Sequence, residues 1–336
     1  MTTTTTTTVR AAAVLLASVA LGAHDVALAG EQRAEGGFER TLTVGVGADL
    51  EVRTGSGRIE VRHGEAGRVQ IAARIVANDG WGGGRSGLSP EERVRRIEAN
   101  PPVTQTGNHV RIGVLEDDDL LRNVSISYTI SVPPDTAVDS RTGSGSIEIE
   151  GLRRDVDAHS GSGSIRIRDA GGDVTAETGS GSITAERIGG AFAGRSGSGS
   201  IRGTGVAGAI TAHTGSGSIE VSQDGAGDVS ATSGSGSIVL SGVRGGVQAS
   251  TASGTVRVAG QQTAAWELAS SSGGIVVELA GQPKFTLDAR TGGGRIETDY
   301  PVAVSGTIER RSLRGPVNGG GPLLHIRTNS GSIRVR

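Results

Sequence analysis

Six copies of the sequence GSGSI, spaced 18 or 19 residues apart, govern what this chain can become. With the isoleucine as a marker, they fall at Ile147, Ile165, Ile183, Ile201, Ile219 and Ile238. Diverged copies place the equivalent residue at Val256, Ile275, Ile296 and Ile333, and an early copy places it at Ile59. After Ile238 the steps are 18, 19, 21 and then 37, the last being about two repeats. A fixed period of this length is the mark of a repeat architecture, in which each unit is too small to bury its own apolar face and stacks on its neighbours. Glycine supplies 57 of 336 residues, but at no every-third-residue spacing, so a collagen helix is excluded.

Within a unit the apolar positions recur as regularly as the marker. Two residues on stand Ile149, Ile167, Ala185, Val221 and Leu240; five on stand Leu152, Ala170, Ile188, Val206 and Val243. Nine on stand Val156, Val174, Phe192, Ile210 and Val247, followed two later by Ala158, Ala176, Ala212 and Ala249. Alternation with period two is a strand pattern, and the glycine-rich stretches between are corners. The expected fold is all-β: a single-stranded parallel β-helix, or β-solenoid, with coils of about 18 residues stacked about 4.8 Å apart. Ten or so coils make a rod core on the order of 50 Å long. The corner hydroxyls Ser144, Ser162, Ser180, Ser198 and Ser216 are expected to hydrogen-bond at the turn or face water.

The first residues read as a targeting segment: a threonine tract, Arg10, an apolar run over 11–23, and a small-x-small site at Ala27-Leu28-Ala29. Export is expected, to the periplasm or the cell surface, with no membrane span in the mature chain. The chain has no cysteine, which removes disulfides, thiol nucleophiles and Cys-ligated metals. Net charge is -2 with both signs interspersed, so nothing directs it to nucleic acid.

Between Ile59 and Ile147 the motif is absent. VQIAARIVA alternates as a strand, and DGWGGGRSG is a loop carrying Trp81. Ser89-Pro90-Glu91-Glu92 opens a short helix, with serine as cap, proline in the first turn and Glu92 closing a capping box. HVRIGV and NVSISYTISV are strands separated by an acidic loop containing Asp117, Asp118 and Asp119. The organisation expected is a leader over 1–29, first solenoid strands over 30–61, an insert or N-terminal cap over 62–140 with a helix at about 90–98, and repeats over 141–336. The last segment keeps repeat character to Arg336, which predicts an open C-terminal edge and a route to self-association.

The leader, VRHGEAGRVQIAARI, the EERVRRIEANPPVTQTGNHVRIG helix-to-strand stretch, RNVSISYTISVPPDTAV and the tandem TGSGSI units together resemble the bacterial adhesin-like proteins of the DUF4097 β-strand-repeat family. The resemblance covers nearly all of the mature chain. It implies a right-handed β-helix-like fold on an exported or envelope-associated protein, and it brings no catalytic motif with it.

The residues themselves nominate no catalytic, cofactor-binding or metal-ligating group. Six before the marker run Arg141, His159, Glu177, Arg195 and His213, but the two histidines lie three coils, about 14 Å, apart. Glu148 and Arg166 are placed to pair across adjacent coils. Asp155, Asp173 and Asp228 share a position that Ala191 and Ala209 interrupt. Asp117 to Asp119 are a loose divalent-ion candidate or simply a solvated loop. The serines lack a histidine and an acid at consistent offsets, so a hydrolase triad is unsupported. The expectation is a non-enzymatic, adhesin-like or scaffold protein whose partner is a surface glycan or envelope component. Trp81 is the candidate for stacking on a sugar ring or packing on the rod. The alternatives are a structural spacer or self-assembling rod, and a carbohydrate-active β-helix enzyme.

Overall fold

The computed structural model describes residues 33–79, 88–113, 120, 122–304 and 311–336. The leader, Trp81 with most of its loop, and Asp117, Asp118 and Asp119 lie outside the described residues.

Each repeat folds as two strands joined by the GSGS corner. The markers begin one set: β9 (Ile147–Leu152), β11 (Ile165–Ala170), β13 (Ile183–Ile188), β15 (Ile201–Val206), β17 (Ile219–Gln223), β19 (Ile238–Val243), β21 (Val256–Gly260) and β23 (Ile275–Leu279). Facing them is a second set: β8 (Ala137–Thr142), β10 (Val156–Ser160), β12 (Val174–Thr178), β14 (Phe192–Ser196), β16 (Ile210–Thr214), β18 (Val229–Ser233), β20 (Val247–Thr251) and β22 (Trp266–Ser270). Equivalent strands pair in parallel and in register, so Ile165 lies between Ile147 and Ile183, and Ala176 is level with Ala158. The result is two sheets of 14 strands each. At about 4.8 Å per strand the outermost strands of a sheet stand about 60 Å apart. The isoleucine, valine and alanine ladders read from the sequence fill the space between the sheets, nearly all of them at most 2% exposed.

The corner needs glycine for a stated reason. A Cβ on Gly199 would lie 1.9 Å from the carbonyl oxygen of Gly181 in the coil below, so no other residue fits without opening the stack. Glycine also makes room inside. Phe192 stands where the adjoining coils carry Val174 and Ile210, and its ring occupies space vacated at Gly194 and Gly203. A Cβ at Gly194 would meet Phe192 Cζ at 2.8 Å, and one at Gly203 would meet the same ring at 3.3 Å.

The serine expectation is only half of what the corner does. Ser144, Ser162, Ser180, Ser198 and Ser216 are exposed, whereas the buried hydroxyl is the Ser or Thr two residues earlier. Thr142, Ser160, Thr178, Ser196, Thr214, Ser233, Thr251, Ser270, Thr328 and Thr291 are at most 6% exposed. Each donates to a glycine carbonyl in the adjoining coil and accepts from the glycine amide three residues on. For Thr214 these bonds are 2.8 Å to Gly199 and 3.1 Å from Gly217, whose carbonyl then takes Ser233 at 2.8 Å. Hydroxyl, carbonyl and amide thus alternate along the stack, satisfying polar backbone that the corner buries.

At the N-terminal end, β2 (Asp49–Thr54) and β3 (Ile59–His63) form the first coil, beside β8 and β9. Past β3 the first sheet continues in parallel to β7 (Val124–Val132) and then turns antiparallel through β4 (Arg68–Asn78) and β1 (Arg33–Thr43). The second sheet ends sooner, at the four-residue strands β6 (His109–Ile112) and β5 (Val103–Thr106). Helix α1 (Pro90–Ala99) packs on β1 and β4. Ser89 Oγ accepts from the Glu92 amide at 3.2 Å, as expected of the cap, while the Glu92 carboxylate turns to Arg95 and Arg96. Buried Arg93 donates to the carbonyls of Asn78 and Arg122, tying the helix to the ends of β4 and β7. Glu98 accepts from Gly37 in the edge strand β1 at 2.8 Å, so the helix also blunts that edge.

The C-terminal end departs from the expected order. β24 (Phe285–Thr291) and β25 (Ile296–Thr298) do not stack on β22 and β23. The last coil, β27 (Leu323–Thr328) and β28 (Ile333–Val335), lies between them and pairs in parallel on both sides. The chain terminus is therefore enclosed, and the open edge expected at Ser332 to Val335 is not there. The physical reason is pairing: a terminal repeat like all the others gains two strand neighbours per sheet by inserting and only one by stacking last. Arg336 reaches Glu278 on one side and Arg334 reaches Glu297 on the other, each at 2.5 Å. The sheet that holds β24 ends instead with β26 (Ser312–Val317), antiparallel to β24. Val302 bridges Val317, and the Ala303 amide donates to Pro316 at 3.1 Å, covering β26.

Candidate interaction faces

Because inward positions are consumed by the core, chemistry is left to the outward residues of each strand, which parallel pairing sets in rows about 4.8 Å apart. The stripe Arg141, His159, Glu177, Arg195 and His213 forms such a row on the outer face of the second sheet. Glu177 is shared, 3.4 Å from His159 Nδ1 and 3.4 Å from Arg195, while Arg141 turns to Asp139 at 3.0 Å. The two histidines remain three strands apart and share no ligand.

On the other face Glu148 and Arg166 are neighbours in register, but the Glu148 carboxylate takes Arg168 at 2.7 Å instead. The diagonal guanidinium wins because it also reaches Glu150, at 3.6 Å. Asp155, Asp173 and Asp228 are structural: each accepts a backbone amide of the next coil, from Asp173, Ala191 and Gly246 at 2.9, 2.8 and 2.7 Å. Asp169 and Arg187 pair at 2.5 Å one coil apart, and the guanidinium holds the Asp169 carboxyl below its usual range. Among the described residues no three of His, Asp and Glu gather as metal ligands would, and no helix is long and apolar enough to cross a membrane.

The two faces differ in composition. Over β16, β18 and β20 the second sheet turns no Asp, Glu, Lys or Arg outward: Thr211, Ser230 and Gln248 form one row, and His213, Thr232 and Ser250 the next. The same coils on the first sheet carry Glu220, Val239 and Arg257. The row Thr211, Ser230 and Gln248 lines a shallow groove of about 710 Å³, which Asp228 also lines and which Glu267, His325 and Arg327 border at one end. Leu323, 44% exposed, stands at its rim. The row Thr211, Ser230, Gln248, Glu267 and His325 continues in register to Asp288 and Arg314.

Asp288 is the most constrained charge on this face. It is 9% exposed and meets Arg314 at 2.7 Å, Arg290 at 3.3 Å and His325 at 3.5 Å. Burial alone pushes its carboxyl up, but Arg314, Arg290 and His325 together outweigh burial and hold it below the usual carboxylate range. Arg327, by contrast, has no acidic partner among the described residues and lines the groove. Neither the groove nor this cluster was nominated from the sequence. Its residues come from five strands over more than a hundred positions, and only the register brings them together.

Two solved structures are similar to the chain. One, from Bacteroides fragilis and provisionally named an adhesin, is 13% identical, with 90% of this chain and 97% of that one covered and a TM-score of 0.33. The other, from Clostridium sporogenes and provisionally named a cell-adhesion protein, is 9% identical over 89% and 99%, with a TM-score of 0.20. Scores this low carry no argument about this chain. No curated protein matches it. The Toastrack DUF4097 family model matches residues 122–336, which span β7 and every coil from β8 onward. The chain belongs to the Toastrack DUF4097 family.

Proposed function

We propose that this is an exported, non-enzymatic, adhesin-like rod that displays the groove on its second sheet to a surface glycan or another envelope component. The observation that carries the reading is the uncharged polar belt of Thr211, Ser230 and Gln248, bordered by Glu267, His325 and Arg327. Hydroxyls and an amide on a flat rigid floor match a polyhydroxylated ligand through many weak hydrogen bonds, and the rigidity limits the ordering cost on binding. The test is retention of glycans and envelope fractions on immobilised protein from Gly30 onward. A blocked variant, Ser230→Arg with Gln248→Arg, is compared with Val239→Arg on the opposite face. Saturable binding lost only in the blocked variant supports the groove, and binding that both variants keep refutes it. The continuous hydroxyl relay favours a second reading, a stiff structural spacer, and silence across all fractions would select it.

A further inference from the structure

We propose that the terminal coil, residues 323–336, is exchangeable between two copies of this chain, each inserting its coil into the slot of the other. The slot has two walls, residues 266–279 and residues 285–298, and each pairs with the inserted coil through both of its strands. The outer wall, β24 and β25, has no strand of the inner wall beside it. Its connection to the main stack by sheet pairing runs through the inserted coil alone.

What fills the slot is a generic repeat. Leu324, Ile326, Thr328, Ile333 and Val335 occupy the inward positions that Ile210, Ala212, Thr214, Ile219 and Val221 occupy in an internal coil, and all are at most 4% exposed. The hydroxyl relay passes through it: Thr328 donates to Gly273 at 2.9 Å, and Thr291 beyond donates to Gly331 at 2.8 Å. A second copy offers identical groups in identical register, so every one of these contacts is recovered after exchange. That is the condition under which domain swapping carries little cost.

The connection into the coil is built to be a hinge. Asn318, Gly319 and Gly320 have φ of 50, 90 and 81°, followed by Gly321 and Pro322. A Cβ at Gly319 would meet nothing within 4 Å, and opening the turn releases two bonds that flank it, from Asn318 Nδ2 to the Pro283 carbonyl at 2.9 Å and from the Thr286 amide to the Pro322 carbonyl at 3.0 Å. Opened out, five residues span at most about 17 Å, enough to carry the coil to an adjacent rod end. The proposal concerns a different surface from the groove and stands whether or not the groove binds a glycan.

The absence of cysteine gives a clean test. Val276 and Arg334 are neighbours in register across one wall of the slot, about 4.8 Å apart, within reach of a disulfide. A full-length chain carrying both Val276→Cys and Arg334→Cys should close internally at low concentration. Two full-length chains, one with Val276→Cys and the other with Arg334→Cys, are then unfolded, mixed, refolded at rising concentration and oxidised. Exchange predicts a disulfide-linked pair whose yield rises with concentration and exceeds several-fold that from Val239→Cys mixed with Arg334→Cys. Equal yields from the two mixtures overturn the proposal, as does failure of the doubly substituted chain to close internally. Light scattering on Cys-free protein is the second measurement. Gly320→Ala strains the turn at positive φ and should raise the dimer fraction, whereas a strictly monomeric variant counts against exchange.

Discussion

Ser196 Oγ donates to the carbonyl oxygen of Gly181, fifteen residues earlier and one coil away, at 2.9 Å, and accepts from the amide of Gly199 at 2.8 Å. Ser196→Ala leaves a buried carbonyl and a buried amide without their partner, so it should cost about 1–3 kcal/mol. Ser196→Thr should be close to neutral, since the coils on both sides carry threonine there. Urea denaturation of the two variants checks this. Equal stability of the alanine variant and the parent would mean water replaces the hydroxyl.

The opposite sign is expected at Ser140. Its hydroxyl is fully buried on the alanine ladder and has no partner among the described residues, while the next coil carries Ala158 in the same place. Ser140→Ala removes an unsatisfied group from the core and should raise stability by about 1 kcal/mol, seen as a higher Tm. A fall in Tm would show that the oxygen has a partner.

Phe192 and Gly194 should be coupled. Gly194→Ala alone drives a methyl into the phenyl ring and should destabilise by about 1–3 kcal/mol. With Phe192→Val also present, the combined loss should be smaller than the sum of the single losses. A double-mutant cycle measures the coupling, and strict additivity would refute the packing account.

Most of the coil architecture is legible in the sequence. The markers at Ile147, Ile165 and Ile183 do stack, and the short helix begins at Pro90 with Ser89 as its cap. Three things are not. The buried hydroxyl at Ser160 and its equivalents looks like one more serine of a serine-rich corner, although every unit has Ser or Thr there, and that regularity was the available signal. The place of the last coil is hidden because Ile275, Ile296 and Ile333 are chemically the same marker, so the sequence cannot say which stacks on which. The groove is invisible because outward residues are free to vary in each strand, and only the register reveals that Thr211, Ser230 and Gln248 form an uncharged row.

Acid should loosen the C-terminal end first. The folded-state value of Asp288 lies below its unfolded one, so its contribution is present above about pH 3.9 and is lost as pH falls through the lowered folded value. Protection of the amides of β24 and β26, taken as exchange relative to the intrinsic rate at each pH, should fall below pH 4, ahead of that of the second-sheet strands β12 to β18. Asp288→Asn should show fast exchange already at neutral pH and lose this acid sensitivity. Uniform loss of protection in acid along both sheets would assign the effect elsewhere.

The enclosed terminus also has a consequence for synthesis. A ribosome delivers residues 285–298 before residues 323–336, yet the earlier segment finds its strand neighbours in the main stack only once the later one has arrived. This end of the rod therefore cannot be completed progressively, coil upon coil, as the middle can. A nascent chain would display unpaired strands there until residues 323–336 emerge. Closure of the tip thus waits on residues made after the strands they hold in place.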